Sequence, residues 1–454
     1  MKQKIDENQL VSGNLKKLFL RYLYPSVAST LLIAGNYLID TICVGMKIGE
    51  TGLAALNVVV PVTGLLYALG YLFSFGSSNL FSNHMGEGNA KLARKNYGTA
   101  VAALLALSLA IMIPGLIFNR QISSVLCAGA SFQSMTEDYL RYVFLFAPFY
   151  CFETFYNVYM RNDGAPGFSM LGTVLTCGTN IVLDILFVWE FHWGMAGASL
   201  ATGLALLIGF FGVFSGTLRK GSSLKLRNSG FCWKLLPEIL QNGAPDFLRE
   251  LSSSLVVLMV NVILLRISGD TAVSAYGVIA NLGNVVMCGL AGVSNAVQPL
   301  ISFNYGAGQP KRVKSLLGLA MRASLILSAA YVIFAELRPD LLVAAFLDDP
   351  TPALSLLSTK GIRVISPGYI LGGLSIVVNI YFEAVHMPNQ AFWAAMVRGL
   401  IAPVVSTAVC ALLWDIDGVW LSFLVTEAVS LIAVGLLYAG AQKKVITGDA
   451  LPDE

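Results

Sequence analysis

Residues 49–91 read GETGLAALNVVVPVTGLLYALGYLFSFGSSNLFSNHMGEGNAK, and 220 positions later residues 269–311 read GDTAVSAYGVIANLGNVVMCGLAGVSNAVQPLISFNYGAGQPK. The two runs align without a gap. Gly49/Gly269, Thr51/Thr271, Ala55/Ala275, Ser74/Ser294, Ser82/Ser302, Gly86/Gly306 and Gly88/Gly308 are identical pairs, and 10 of the 47 positions in the window 49–95 agree. Each run is also longer than a globular core helix requires. Thr51–Asn83 is 33 residues and Thr271–Pro310 is 40 residues without an Asp, Glu, Lys or Arg, whereas about 20 apolar residues cross a bilayer as a helix. The same stretch thus indicates a membrane-spanning chain and an internal duplication.

The rest of the chain extends both readings. Of its 454 residues 56% are hydrophobic and 12% charged, against roughly 25% charged in soluble domains. A net charge of +3 with basic residues confined to short loops gives no nucleic-acid footprint. The pattern predicts an all-α membrane protein with twelve transmembrane helices, at roughly 15–45, 52–82, 92–117, 135–160, 167–189, 194–217, 235–265, 272–302, 312–335, 355–383, 389–413 and 418–441. The polar, basic stretch LRKGSSLKLRNSGFCWK (218–234) separates residues 1–217 from residues 235–454. Six helices per half is an even number, so the two lobes insert in the same direction, a parallel 6+6 repeat with a central cleft. Such an architecture fits a rocking transporter; a pore or a receptor is the other reading. Loops on the side of both termini hold 19 Lys and Arg against 7 on the opposite side, which puts both ends in the cytoplasm. The apolar run after MKQKIDENQL is too long for a signal sequence, so the first helix is expected to stay. The seven cysteines are scattered through apolar segments, and His84, His192 and His386 sit at loop edges without ligand spacing. Neither a disulfide framework nor a metal centre is expected.

Ionisable side chains at membrane depth are costly and mark function by default. Asp40 closes an apolar run in the first helix, and Asp184 lies in the fifth, four residues after Asn180, so amide and carboxylate share a helix face. Ala198 and Thr202 repeat that spacing in the sixth. If these converge, two carboxylates in a poorly hydrated pocket do not both ionise cheaply, and the pocket takes up a proton. The same oxygens, with the Asn180 carbonyl and the Thr202 hydroxyl, also suit Na⁺. The alternative is that Asn180 and Thr202 merely tie neighbouring helices together. At the repeat offset Asp40 corresponds to Val260, and the segment LIAPVVSTAV has no acid where Asp184 would fall. The carboxylate pair therefore belongs to the first half alone. Arg249 and Glu250 are adjacent and need different partners, Glu383 and Arg398 are a candidate ion pair, and Glu153 and Glu427 are further buried acids.

The segments IDTICVG (39–45), RNDGAP (161–166), NIVLD (180–184), GMAGASLAT (194–202), GAPDFLRE (243–250), VQPLISFNYGAGQ (297–309) and YFEAVHMPN (381–389) resemble, in order and spacing, the multidrug and toxic compound extrusion (MATE) family, most of all its DinF-like branch. The resemblance covers nearly the whole chain. It implies a monomeric, multi-pass protein of a prokaryotic cytoplasmic membrane. Such a protein exports small organic, mainly cationic, substrates in exchange for H⁺ or Na⁺, in contact with membrane lipids and without a cofactor. It also implies a cation-coupling site at Asp40, Asn180, Asp184, Ala198 and Thr202. Two departures stand out: Ile185 where the branch often has Pro after the aspartate, and His386-Met387 where it often has Gly-Lys before the proline. By position, Tyr37, Met160, Tyr276, Met287 and Tyr305 are expected to line the substrate cleft with Glu250 and Glu383. Pro25 is where the first helix is expected to bend as the cleft alternates. A flippase for lipid-linked sugars of the same superfamily fold is the alternative, but it calls for several cationic cavity residues. A membrane enzyme holding Mg²⁺ has only Asp348-Asp349 to offer, with no DxxxD partner.

Overall fold

A computed structural model describes residues 12–127, 132–219, 221–225, 229–344 and 352–447. In chain order the helices are α1 (Leu15–Ile48), α2 (Glu50–Gly86), α3 (Ala90–Ile117), α4 (Asn119–Cys127), α5 (Gln133–Leu145), α6 (Ala147–Asn162) and α7 (Pro166–Asp184). They continue with α8 (Gly194–Phe214), α9 (Leu236–Gly306), α10 (Pro310–Leu337), α11 (Pro339–Ala344), α12 (Pro352–Ile365), α13 (Gly368–Ala384), α14 (Pro388–Met396) and α15 (Ala402–Thr447). One-residue-wider π turns extend α7 over Ile185–Glu190 and join α14 to α15 over Val397–Ile401. Among the described residues there is no strand.

Several expected spans appear as single helices: α1, α2, α3, the α7 stretch to Glu190, the α8 stretch to Leu218, and α10 are each long and apolar enough to cross a membrane. Others differ from the sequence reading for identifiable reasons. The expected fourth helix is divided at Phe146, where Pro148 enters the first turn of α6 without an N–H to donate. The tenth is bent by 46° between α12 and α13, at Ser366-Pro367. The π turns and α15 join the last two spans, yet Trp414 (φ −137°) and Asp415 (φ 49°) leave helical geometry, at the boundary expected between them. The seventh and eighth are joined in the 71 residues of α9. Gly243 nevertheless abuts the Leu72 carbonyl and Gly306 the Asn83 carbonyl. Eleven residues of α2 span about 16 Å, whereas the 63 residues from Gly243 to Gly306 would span about 95 Å if straight. The stretch therefore reverses direction between them.

The described chain falls into two compact units. One comprises residues up to Leu251 together with Asn295–Val313; the other comprises Ser252–Ser294 and the residues from Lys314 onward. Residues 236–251 and 295–313, which follow the connecting stretch in sequence, thus cluster with α1–α8.

In the first unit every residue of α6 from Tyr150 to Asn162 is buried. Its aromatic side chains pack on one another and on those of α3 and α8: Phe155 against Tyr159 at 4.5 Å within α6, Tyr97 of α3 against Tyr159 at 5.1 Å, and Tyr156 edge-to-face with Phe214 of α8 at 5.1 Å between ring centroids. The hydroxyls are paired, Tyr97 with Tyr156 at 3.0 Å and Tyr159 donating to Ser77 Oγ at 2.8 Å. Across the repeat, α2 and the end of α9 meet through glycine. A Cβ on Gly86 would strike the Phe303 carbonyl, and one on Gly306 would strike the Asn83 carbonyl. Residues 83 and 303 are related by the same 220 positions as 86 and 306, so the contact is its own mirror in the repeat. Side chains larger than hydrogen are excluded at such a crossing.

In the second unit Trp420 is fully buried and stacks near-parallel on Tyr276 at 6.4 Å, while Tyr369 packs on Tyr331 and Phe423. Hydroxyl pairs Ser406–Thr426 (2.5 Å) and Thr407–Ser422 (3.2 Å) tie the two arms of α15 together.

Candidate cation site

α7 packs along α8 because the facing positions of both helices are small. Gly172 sits against Val213, and Gly209 sits against the Thr176 side chain and the Gly172 carbonyl. α1 packs against α7 as well and also touches α8. This three-helix arrangement brings together all five sequence-selected residues. Asn180 Nδ2 donates to Thr202 Oγ1 at 3.4 Å, and Thr202 Oγ1 donates in turn to the Ala198 carbonyl at 3.1 Å. The side chains of Asp40 and Asp184 lie within hydrogen-bonding range of each other. Asp184 is 1% exposed, and Asn180 and Ala198 are equally buried.

The pair's chemistry follows from what surrounds it. Both carboxylate oxygens of Asp184 and Oδ1 of Asp40 are buried with no hydrogen-bond donor. Two ionised carboxylates at this range repel, and buried acceptors without donors are costly. A proton shared between them, or a cation held by their oxygens, removes both penalties. The donor set is all oxygen, which suits a hard cation as well as a proton. The π turn begins at the residue after Asp184; such widened turns recur where a helix serves a site.

The structure adds Asn36 to the set. Its Nδ2 donates to Asn180 Oδ1 at 2.8 Å, which fixes the amide's orientation and leaves Asn180 Nδ2 for Thr202. Asn36 precedes Asp40 by four residues, the same spacing that marks Asn180 and Asp184, so the signal was present in the sequence.

The expected cleft residues fall in both units. Tyr37 (48% exposed) and Tyr305 (45% exposed) are open on the first unit, Tyr305 near Glu87 at the end of α9. Met160 is instead fully buried beneath Gly216, a core residue of the first unit, because α6 is enclosed on all faces. In the second unit Tyr276 packs on Trp420, and the Met287 sulfur lies 4.0 Å from Arg398 Nη2. The expected Glu383–Arg398 pair gives way to another. Arg398 makes a forked pair with Glu427, 2.8 and 3.0 Å, while Glu383 accepts from Asn379 at 2.8 Å. Arg398 sits in the π turn before α15, which brings it to the last helical arm, where Glu427 lies. Arg249 pairs with Asp246, one turn away, and Glu250 lies in the first unit. Asp348 and Asp349, with Lys220 and Arg227 of the connecting stretch, lie outside the described residues.

Fold and site together define a polytopic, all-α membrane protein built from two repeats, with an acidic pair sunk in the first. The chain belongs to the MatE family: the family model matches residues 25–186 and again 245–408, once in each half. Over 435 residues it is 25% identical to the multidrug export protein MepA of Staphylococcus haemolyticus, covering 94% of each chain. To MepA of Staphylococcus aureus strain N315 it is 24% identical over 424 residues, covering 93% of each. A MATE crystal structure in the straight conformation superposes with a TM-score of 0.90 at 20% identity, covering 98% of this chain and 100% of that one. An outward-facing multidrug resistance MATE transporter superposes with a TM-score of 0.88 at 20% identity, covering 97% and 98%. The fold is thus the twelve-helix, two-lobe MATE fold.

Proposed function

We propose that this protein is a secondary antiporter that exports cationic or amphiphilic drug-like molecules in exchange for H⁺ or Na⁺ by alternating access. The observation that carries the reading is the buried Asp40–Asp184 pair with three donorless carboxylate oxygens. The multidrug-export names of the relatives support the substrate class. The charge asymmetry of the loops supports cytoplasmic termini, the composition supports a multi-pass membrane protein, and the staphylococcal relatives support a prokaryotic cytoplasmic membrane.

An ion shifts the balance between outward- and inward-facing states only through a site whose environment differs between them. With the pair charged, repulsion holds α1 away from α7. Once a proton or Na⁺ neutralises it, the two helices close on each other. α1 has a built-in place to yield, since Pro25 lies inside it and removes one backbone bond. Export of a cationic substrate then follows as exchange of positive charge for positive charge. The lipid-flippase reading requires free cationic groups for pyrophosphate. Arg249 and Arg398 are each matched by a carboxylate, Asp246 and Glu427, which favours the antiporter.

The test is efflux of a fluorescent organic cation from vesicles holding the purified protein, with pH and sodium gradients imposed separately. One gradient is expected to drive uphill movement. Efflux indifferent to both would overturn the proposal.

A further inference from the structure

The end of the connecting stretch is docked on α3 of the first unit. Gly98 packs against the Gly230 carbonyl and the Ser229 side chain so closely that a Cβ there would clash. The Cys232 N–H donates to Thr99 Oγ1 at 2.9 Å, and the Lys95 side chain lies along Gly230. Held in this way, the segment presents two aromatic rings outward: Phe231 is 45% exposed and Trp233 68%, edge to face at 4.7 Å. Three lysines flank them. Lys91 and Lys95 are one turn apart on one face of α3, and Lys234 follows Trp233. Among the described residues none of the three is paired with a carboxylate. Glu238, the acid nearest Lys234 in sequence, lies in the first turn of α9 and leaves the face net positive. The depth of the face follows from α3. Lys91, Arg94 and Lys95 occupy its first two turns, and residues 96–119 hold no Asp, Glu, Lys or Arg. Thr99, which fixes Cys232, is one turn, about 6 Å, past Lys95. The rings therefore stand where basic residues give way to the apolar span, the level of lipid headgroups at which amphipathic aromatics settle.

We infer that Lys91, Lys95, Phe231, Trp233 and Lys234 form a binding site for the headgroup of an anionic phospholipid. The lysines take the phosphate, and the rings cover the glycerol and the top of an acyl chain. The inference uses the membrane placement of the proposed function and not the antiport. In that placement the lipid belongs to the cytoplasmic leaflet, where clusters of basic residues beside a membrane span attract anionic headgroups. A second copy of the chain suits this face poorly, because like charges would meet and two rings offer far less area than a stable dimer buries.

The test is native mass spectrometry of the purified full-length protein, released from detergent after titration with phosphatidylglycerol or with phosphatidylcholine. The wild type is expected to take its first phosphatidylglycerol more tightly than phosphatidylcholine. Lys95→Gln combined with Lys234→Gln is expected to weaken phosphatidylglycerol binding roughly thirtyfold, the loss of two cations at a membrane surface, and to leave phosphatidylcholine unchanged. Lys95→Arg with Lys234→Arg keeps the charge and is expected to keep the affinity. Trp233→Ala is expected to loosen both lipids, and serves alone if the glutamine variant does not fold. Equal affinity of the wild type for the two lipids, or an unchanged phosphatidylglycerol affinity in the glutamine or alanine variant, overturns the site. Inorganic phosphate that binds as tightly as the lipid would make it a free-anion site and overturn the lipid assignment. A dimer in light scattering that Trp233→Ala dissociates would give the face to a second copy and overturn it too. These readouts involve no transport, so their failure leaves the antiport standing, and failure of the antiport leaves them intact.

Discussion

Asn36 and Asn180 hold one another across α1 and α7, and this bond decides which atoms the pair's neighbourhood offers an ion. With Asn36 in place, Asn180 Oδ1 is engaged and its Nδ2 is turned to Thr202. Asn36→Ala frees the carbonyl and costs about 1 kcal/mol of orientation. The expected outcome is a roughly fivefold shift in the proton or sodium concentration that gives half-maximal efflux, at an unchanged maximal rate. An unshifted half-maximal concentration would show the amide to be a bystander. At this scale the sequence revealed the acids, Asn180 and Thr202, because four-residue spacing on an apolar helix is visible in one dimension. It misplaced Arg398 and Met160. Which of two acids an arginine reaches depends on the path of a π turn, and whether a methionine faces a cleft depends on what encloses its helix; spacing reports neither.

At the level of elements, helix ends follow residue chemistry where backbone conformation is special. His386 adopts φ 57° in the turn before Pro388, and Gly164 adopts φ 73° in the turn before Pro166. The two turns correspond across the repeat. Left-handed backbone favours glycine because a Cβ crowds the carbonyl, so the departure His386 makes from the branch pattern is one that carries backbone strain. His386→Gly is expected to stabilise the protein by about 0.5 kcal/mol, the strain relieved less the added freedom of the unfolded glycine. A thermal midpoint in detergent that falls would contradict this. Proline alone was a poor guide to breaks. Pro25, Pro61 and Pro114 lie inside unbroken helices, whereas Pro148 stands just after the break at Phe146 and Pro367 at the bend. Neighbouring helices in a membrane bundle re-satisfy a freed carbonyl, so tertiary packing decides which prolines bend.

For the whole molecule, the duplication read from residues 49–91 and 269–311 reappears as the reciprocal crossing of Gly86 and Gly306. Glycines stayed identical where helices touch at the backbone. The acids of the pair occur in the first half only. Val260, the counterpart of Asp40, is buried in the apolar core of the second unit. Ser406 falls opposite Asp184 when Pro166 is set on Pro388, and its hydroxyl is spent on Thr426. The two halves thus share packing at the glycines and differ at the charge, and the coupling proposed here lies wholly in the first half. Division of the chain into units was less legible, because residues 236–251 and 295–313 cluster with helices far earlier in sequence; a linear reading cuts only at polar loops.

The most direct measurement is gradient-driven uphill efflux of a fluorescent organic cation by Asp40→Asn, Asp184→Asn and Glu250→Gln proteins in vesicles, each beside the wild type. The account predicts that both aspartate variants bind the dye yet lose the dependence on the driving gradient, by roughly tenfold or more in uphill rate, since each asparagine keeps the shape and removes the charge an ion must neutralise. Glu250→Gln is expected to remain gradient-driven and to alter chiefly which substrates are carried. Gradient dependence that survives in Asp40→Asn and Asp184→Asn but disappears in Glu250→Gln would contradict the account.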